Sequence, residues 1–272
     1  MYYKWQGLHW ALASLADIGY PTGDESLRPA ADRVLEVWLR PGVREEYETA
    51  TRPRSGGQRG VPRICGRARR CASQEGNALR FLTRLDLEDP RLGDVVDLLL
   101  RWQWPDGGWN CDLDPAADTS SFMETLTPMR GLALYGREHR DSRARAAARR
   151  AAEVFLERRM FRRRSNGQPI SPRFLQLHFP LYWHYDILGG LRGVAEAGRI
   201  RDPRAAEALD WLESRELPDG GWRADARYYR VSRSFRPGAE FVDWGAPGRG
   251  RRSDWVTTDA LYVLREAGRR AF

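Results

Sequence analysis

Four expected helix starts carry a carboxylate, and the residues around them are the chain's candidates for chemistry. Glu75 stands beside Asn77. Glu124 lies four residues after Ser120, Asp186 follows Tyr182, Trp183 and His184, and Asp259 follows Trp255 and Thr257-Thr258. A further acidic string, Asp112-Leu113-Asp114-Pro115 with Asp118, precedes one of these helices. A carboxyl kept protonated by burial or by a neighbouring carboxylate can donate a proton. Aromatic faces can stabilise a cation. Acids also stabilise helix first turns through the macrodipole, and short Asp-rich turns cap helices. For each acid taken singly the structural role therefore outweighs the chemical one. The three cysteines, Cys65, Cys71 and Cys111, are an odd number without paired CxxC spacing, which fits neither a disulfide framework nor a zinc ribbon. No metal and no cofactor is expected.

Helical periodicity supplies the elements that must position these residues. Helices are expected over 5–19, 26–39, 73–85, 90–102, 120–135, 142–159, 181–198, 203–214 and 255–268. Loops rich in Gly, Pro and Arg fall at about 41–70, 162–180 and 223–253. No run of segments alternates as strands do, so the chain reads as an all-α single domain over 1–272. Its 272 residues with 42% hydrophobic content and 11 Trp exclude disorder. No apolar run is long enough to span a bilayer. Met1–Gln6 lacks the features of a secretory signal, so the expectation is a cytoplasmic protein. The formal charge is +8 and the pI about 9.8. Lys4 is the only lysine, and the arginines are spread along the chain apart from clusters at 158–164 and 249–252. Wholesale Arg-for-Lys usage reads as genome composition, and no nucleic-acid partner is expected.

The helices pair into hairpins that repeat every 50–60 residues or so, the mark of stacked units that bury their apolar faces on each other. Two corners are near copies. Leu98-Leu99-Leu100-Arg101-Trp102-Gln103-Trp104-Pro105-Asp106-Gly107-Gly108-Trp109 matches Trp211-Leu212-Glu213-Ser214-Arg215-Glu216-Leu217-Pro218-Asp219-Gly220-Gly221-Trp222. Each ends a helix, turns through Pro-Asp-Gly-Gly and places a Trp after the turn. The spacing of Gln103, Gly107 and Trp109, repeated as Glu216, Gly220 and Trp222, resembles the QW repeat of squalene and hopene cyclases. The resemblance runs from the third helix to the C-terminus. It implies an α/α toroid, a fold shared with protein prenyltransferase β subunits and thioester-containing complement domains. Five inner helices (5–19, 73–85, 120–135, 181–198, 255–267) and four outer ones would make an incomplete ring of about five hairpins. In that family the motif's Trp packs on a helix end, and its Gln or Glu ties neighbouring backbone together.

The resemblance also implies chemistry. Class II terpenoid cyclases protonate their substrate with an Asp-x-Asp-Asp acid; the matching string here is Asp112-Leu113-Asp114, with Pro115 where the last Asp would stand. Prenyltransferases hold zinc with Asp-x-Cys and a later His; Asp118 and His184 match, but Ser120 stands in the cysteine position. Thioester domains join a Cys to a Gln three residues on, as in Cys71-Ala72-Ser73-Gln74. In a toroid the inner helix starts gather at one mouth, so the candidate catalytic groups are Asp118, Glu124, His184, Asp186 and Asp259. The candidate ligand-binding groups are Glu75, Asn77, Ser120, Tyr182, Trp183 and Trp255. The expected function is binding of an isoprenoid or other extended apolar molecule, with proton-initiated cyclisation if the protein is an enzyme. The alternative is a toroid scaffold for peptide or carbohydrate. The expected partner is thus a small apolar ligand, with peripheral membrane contact and a homodimer left open.

Overall fold

The computed structural model describes residues 4–39, 61–248 and 250–271. Residues 41–60 of the expected 41–70 loop, and Arg249 of the second arginine cluster, lie outside the described residues. Among the described residues there are nine α-helices: α1 (Leu8–Asp17), α2 (Arg28–Leu39), α3 (Ser73–Arg84), α4 (Arg91–Trp102), α5 (Phe122–Glu138), α6 (Ser142–Leu156), α7 (Ile187–Glu196), α8 (Ala206–Glu213) and α9 (Asp254–Glu266). The all-α class holds. Inside the expected loops sit two small sheets, the antiparallel pair β1 (Arg63–Ile64) and β2 (Arg67–Ala68) and the parallel pair β3 (Arg230–Val231) and β4 (Ala239–Glu240). No helix among the described residues is long and apolar enough to cross a membrane.

The chain divides into two compact units. The first contains Gly7–Ala151 and the second Ala152–Phe272 with Tyr3–Gln6. In the first, α1, α3 and α5 pack in succession, while α2 rests on α1 and α4 on α3. The stripe of α4 shows why: Leu92, Val95, Val96, Leu99 and Trp102 recur at helical spacing and are buried. Helices α3 and α5 approach closely because each brings a glycine to the crossing. A Cβ on Gly76 would overlap the backbone of Pro128, and one on Gly131 would overlap the carbonyl of Gly76. Thr127 Oγ1 donates to Ser73 O (2.8 Å) across the same crossing. This contact sets the start of α3 beside the start of α5. In the second unit α7 packs on α9 and α8 on α7.

Several expected helix starts move. α5 begins at Phe122 with Ser121 as its N-cap, accepting from Glu124 N, so Ser120 lies outside the helix and shares no helical face with Glu124. Ala72, not Ser73, precedes α3 as N-cap. The largest shift is at α7, which starts at Ile187 instead of Leu181. Tyr182 adopts φ 49°, and His184 N donates to Leu181 O (2.8 Å), closing a turn before the helix. Asp186 is the N-cap, its Oδ1 accepting from Gly189 N (2.7 Å). Tyr182, Trp183 and His184 therefore stand ahead of the helix, not in its first turn. Asp259 sits in the second turn of α9, whose first-turn acid is Asp254.

Both Trp corners form as expected. Trp109 Nε1 donates to Leu99 O (3.0 Å) in the last turn of α4, and Trp222 Nε1 to Leu212 O (2.8 Å) in the last turn of α8. Gln103 Nε2 ties backbone together through Gly107 O and Ala147 O. Glu216 differs, pairing with the Arg270 side chain.

Candidate functional site

Two groups of side chains stand out, one in each unit. The first is built from the strand segment before α3 and the loop after the first Trp corner. Arg69 and Asn110 form a parallel bridge, with Arg70 N donating to Asn110 O (3.1 Å). Cys71 comes two residues after Arg69 and Cys111 one residue after Asn110, so the pairing brings the two thiols near each other. Glu124, in the first turn of α5, completes the group. The thiol and carboxylate atoms of Cys71, Cys111 and Glu124 all lie within 4.8 Å of one another. Cys111 Sγ donates to Glu124 Oε1 (3.7 Å), and Ser73 N holds Glu124 Oε2 (3.1 Å).

The electrostatics follow from this crowding. Burial, with the Glu75 carboxylate adding to it, pushes the Glu124 carboxyl above its usual range. The thiols act as a pair: the hydrogen bond from Cys111 lowers Cys71, and the same bond followed by burial raises Cys111. Glu75 is buried and takes a hydrogen bond from Arg70 Nε (2.9 Å) on Oε1. Its other oxygen, Oε2, is buried without a hydrogen-bond partner among the described residues.

The second group lies around the segment before α7. Leu177 and His178 pair in parallel with Asp225 and Ala226, which follow the second Trp corner. His178 Nδ1 is 2.9 Å from Asp186 Oδ2 and 3.1 Å from Gln176 O. Both neighbours are acceptors, so Nδ1 carries a proton. The other ring nitrogen, Nε2, is buried with no hydrogen-bond partner among the described residues. Asp186 also accepts from His178 N (2.9 Å), which fixes the pair. The Tyr228 ring meets His178 edge-on at 4.7 Å and stacks on His184 at 4.3 Å. Burial lowers His184 to about 4. Trp183 lies 4.2 Å from His184, and Trp5 stacks on Tyr182 at 4.0 Å. Phe179, Trp244 and Trp255 form a second ring cluster, with Phe179 and Trp255 stacked at 5.1 Å. Lys4 Nζ lies 4.9 Å above Trp5 and 5.1 Å from the centre of Trp183, so these faces already hold one cation.

No family model matches the chain, and no curated protein does.

The remaining expected residues have local structural partners. Asp118 is exposed, without the burial that keeps a carboxyl protonated. Asp112 and Asp114 are exposed and accept from backbone N–H groups two residues on, at Asp114 and Ala116. Ser120 Oγ donates to Asp106 (2.6 Å). A hydroxyl committed in this way, beside an exposed Asp118, does not fit the prenyltransferase zinc set. Asn77 donates to His9 (3.2 Å), Asp259 pairs with Arg192, and the thiol of Cys71 meets Cys111. Glu124 of the first group and Tyr182, Trp183, His184, Asp186 and Trp255 of the second were legible in the sequence. His178 and the Cys71–Cys111 contact were not: the thiols meet through a parallel bridge between segments far apart in the chain, and His178 lies in an irregular segment before α7.

Proposed function

We propose that the hairpins continue the toroid pattern of the terpenoid cyclases and that the chain binds an extended apolar molecule of isoprenoid class. The observation that carries this reading is the run of ring faces along residues 179–184, 228, 244 and 255. Phe179, Trp183, His184, Tyr228, Trp244 and Trp255 are half-buried, open enough to receive a ligand and apolar enough to hold one. Their faces stabilise positive charge, as Lys4 already illustrates. His178 Nε2 is the group that takes a proton from such a substrate; Gln176 O accepts from Nδ1, and Asp186 positions the residue by accepting from His178 N and lying 2.9 Å from Nδ1. Asp186 thus acts through His178, not as the acid itself.

A second reading has one observation in its favour. A surface pocket of about 470 Å³ is lined by Thr22, Thr83, Arg84, Asp86, Glu88 and Arg137, among others, a polar lining suited to peptide or carbohydrate. The two readings separate in one experiment. Purified protein is extracted for bound lipid and then offered squalene and prenyl diphosphates, with Trp fluorescence and product formation recorded. Bound or turned-over isoprenoid, with binding weakened at least about tenfold by Trp183→Ala, supports the first reading. Turnover that vanishes in His178→Gln while binding persists supports the proton-transfer role. No bound lipid, no fluorescence response and no turnover across that panel rejects it.

A further inference from the structure

We propose that Cys71 Sγ, Cys111 Sγ and a Glu124 carboxylate oxygen form a binding site for a zinc-class divalent cation, with one coordination position left for an exchangeable ligand. Three lines of geometry support it. The three donor atoms lie within 4.8 Å of one another, and Cys111 Sγ to Glu124 Oε1 is 3.7 Å. Tetrahedral zinc with its ordinary bonds to sulfur and oxygen sets its ligand atoms about 3.6–3.8 Å apart, so closing the site needs side-chain adjustments of an ångström or less. Second, the donor set is selective: two thiolates and a carboxylate suit zinc and disfavour magnesium and calcium, which take oxygen ligands. Third, the nearby cation is already committed. Two thiols, Glu124 and Glu75 crowd together, Glu75 Oε2 has no hydrogen-bond partner among the described residues, and Arg70, beside Cys71, is engaged on Glu75 Oε1. A divalent ion relieves that crowding, and binding releases the thiol protons to solvent.

The framework is already rigid. The Arg69–Asn110 bridge fixes both cysteines, and Ser73 N–H holds the far oxygen of Glu124, the kind of outer support that orients a ligand. All three ligands are half-buried, which leaves a route in for the ion. The site shares no residue with Asp118, Ser120 and His184, the set that the prenyltransferase pattern would use. It is also independent of the apolar-ligand reading, since its occupancy is read without substrate.

The test uses the full chain. Protein is loaded with zinc, freed of excess metal and analysed for metal content. A parallel sample is titrated with cobalt(II), whose thiolate charge-transfer band reports sulfur ligation. The expected result is about one zinc per chain and a tetrahedral cobalt spectrum. Cys111→Ala and Glu124→Gln each weaken binding by about 100-fold or more, whereas Cys65→Ala does not. Because a cysteine variant can fail to fold, unaltered protein is also alkylated with and without a chelator. Cys71 and Cys111 react faster once metal is stripped, while exposed Cys65 is unchanged. Absence of stoichiometric zinc, or alkylation indifferent to the chelator, overturns the proposal. So does a Cys71–Cys111 disulfide recovered from freshly purified protein.

Discussion

The two Gly-Gly-Trp corners make the same hydrogen bonds at the turn, the Trp and the helix cap, and lead to different chemistry. In the first, Trp109 N donates to Thr125 Oγ1 (3.2 Å) and Ser121 N donates to Trp109 O (2.9 Å). In the second, Trp222 N donates to Thr257 Oγ1 (2.9 Å) and Ser253 N to Trp222 O (2.8 Å). Ser121 caps α5 as Ser253 caps α9. The turn itself repeats: Trp104 N to Gly108 O and Leu217 N to Gly221 O are both 2.8 Å. A Cβ on Gly108 would overlap Thr125 and Ser120, and one on Gly221 would have to displace the Arg252 side chain. What differs is two residues beyond the Trp and three beyond the cap. The first corner has Cys111 and Glu124 there, and the second has Ala224 and Val256. The corner is a joint that fixes a helix start, and the chemistry is set by residues that the joint does not constrain.

The most damaging way to probe this equivalence is to remove either Trp. Trp109 and Trp222 are 1% and 0% exposed, and each ties the end of one helix to the start of another. Trp109→Ala and Trp222→Ala should each cost about 3–5 kcal/mol, measured by denaturant unfolding with the two units followed separately. A loss under about 1 kcal/mol at one corner alone would mean that the shared bonding hides unequal roles.

That corner was legible because its signal is local: Pro, Asp, two glycines and a Trp within a few residues fix the turn with no help from the rest of the chain. Helices α3 and α5, which cross at Gly76 and Gly131, were legible through apolar periodicity. The start of α7 was misread because apolar residues continue back through Tyr182 and Trp183, while the positive φ at Tyr182, which breaks the helix, carries no glycine to announce it. Glu124 and Asp186 were picked out as helix-start acids, but not their partners. Cys71 reaches Cys111 through a strand pairing of only a residue or two, and His178 reaches Asp186 across the turn before α7. Segments that short leave no periodicity to detect.

A smaller effect separates the units by pH. In the first, buried His9 accepts from Asn77, and burial, then the charge of Arg80, lowers it to about 3. In the second, the buried histidine His178 faces the Asp186 carboxylate. The unfolded chain protonates His9 near its ordinary pKa of about 6.5 and the folded one only near 3. The folded state therefore binds fewer protons across that window, and stability is lost as pH falls through it. By pH 5 the loss from His9 amounts to about 2 kcal/mol. Unfolding followed from pH 7.5 to 5 should show that slope in the first unit, and His9→Gln should flatten it. An unchanged slope in His9→Gln would assign the acid sensitivity elsewhere.

The gentlest perturbation converts the first corner toward the second. Glu124→Val installs the side chain that Val256 presents three residues past the cap, where it is 1% exposed. The substitution removes a carboxyl whose burial already disfavours its charge, and it leaves Ser73 N–H without its acceptor. These effects oppose each other, so in metal-free protein the change should lie within about 1 kcal/mol. The corner's own bonds, through Thr125, Trp109 and Ser121, do not involve the carboxylate. Zinc then separates chemistry from architecture. At a hundredfold excess over Kd it should stabilise the unaltered chain by about 2.7 kcal/mol and leave Glu124→Val almost unmoved, read as the shift in unfolding midpoint with added zinc. A variant that unfolds without metal would make Glu124 part of the joint, whereas one that keeps the full zinc shift would show that the two thiols hold the ion without it.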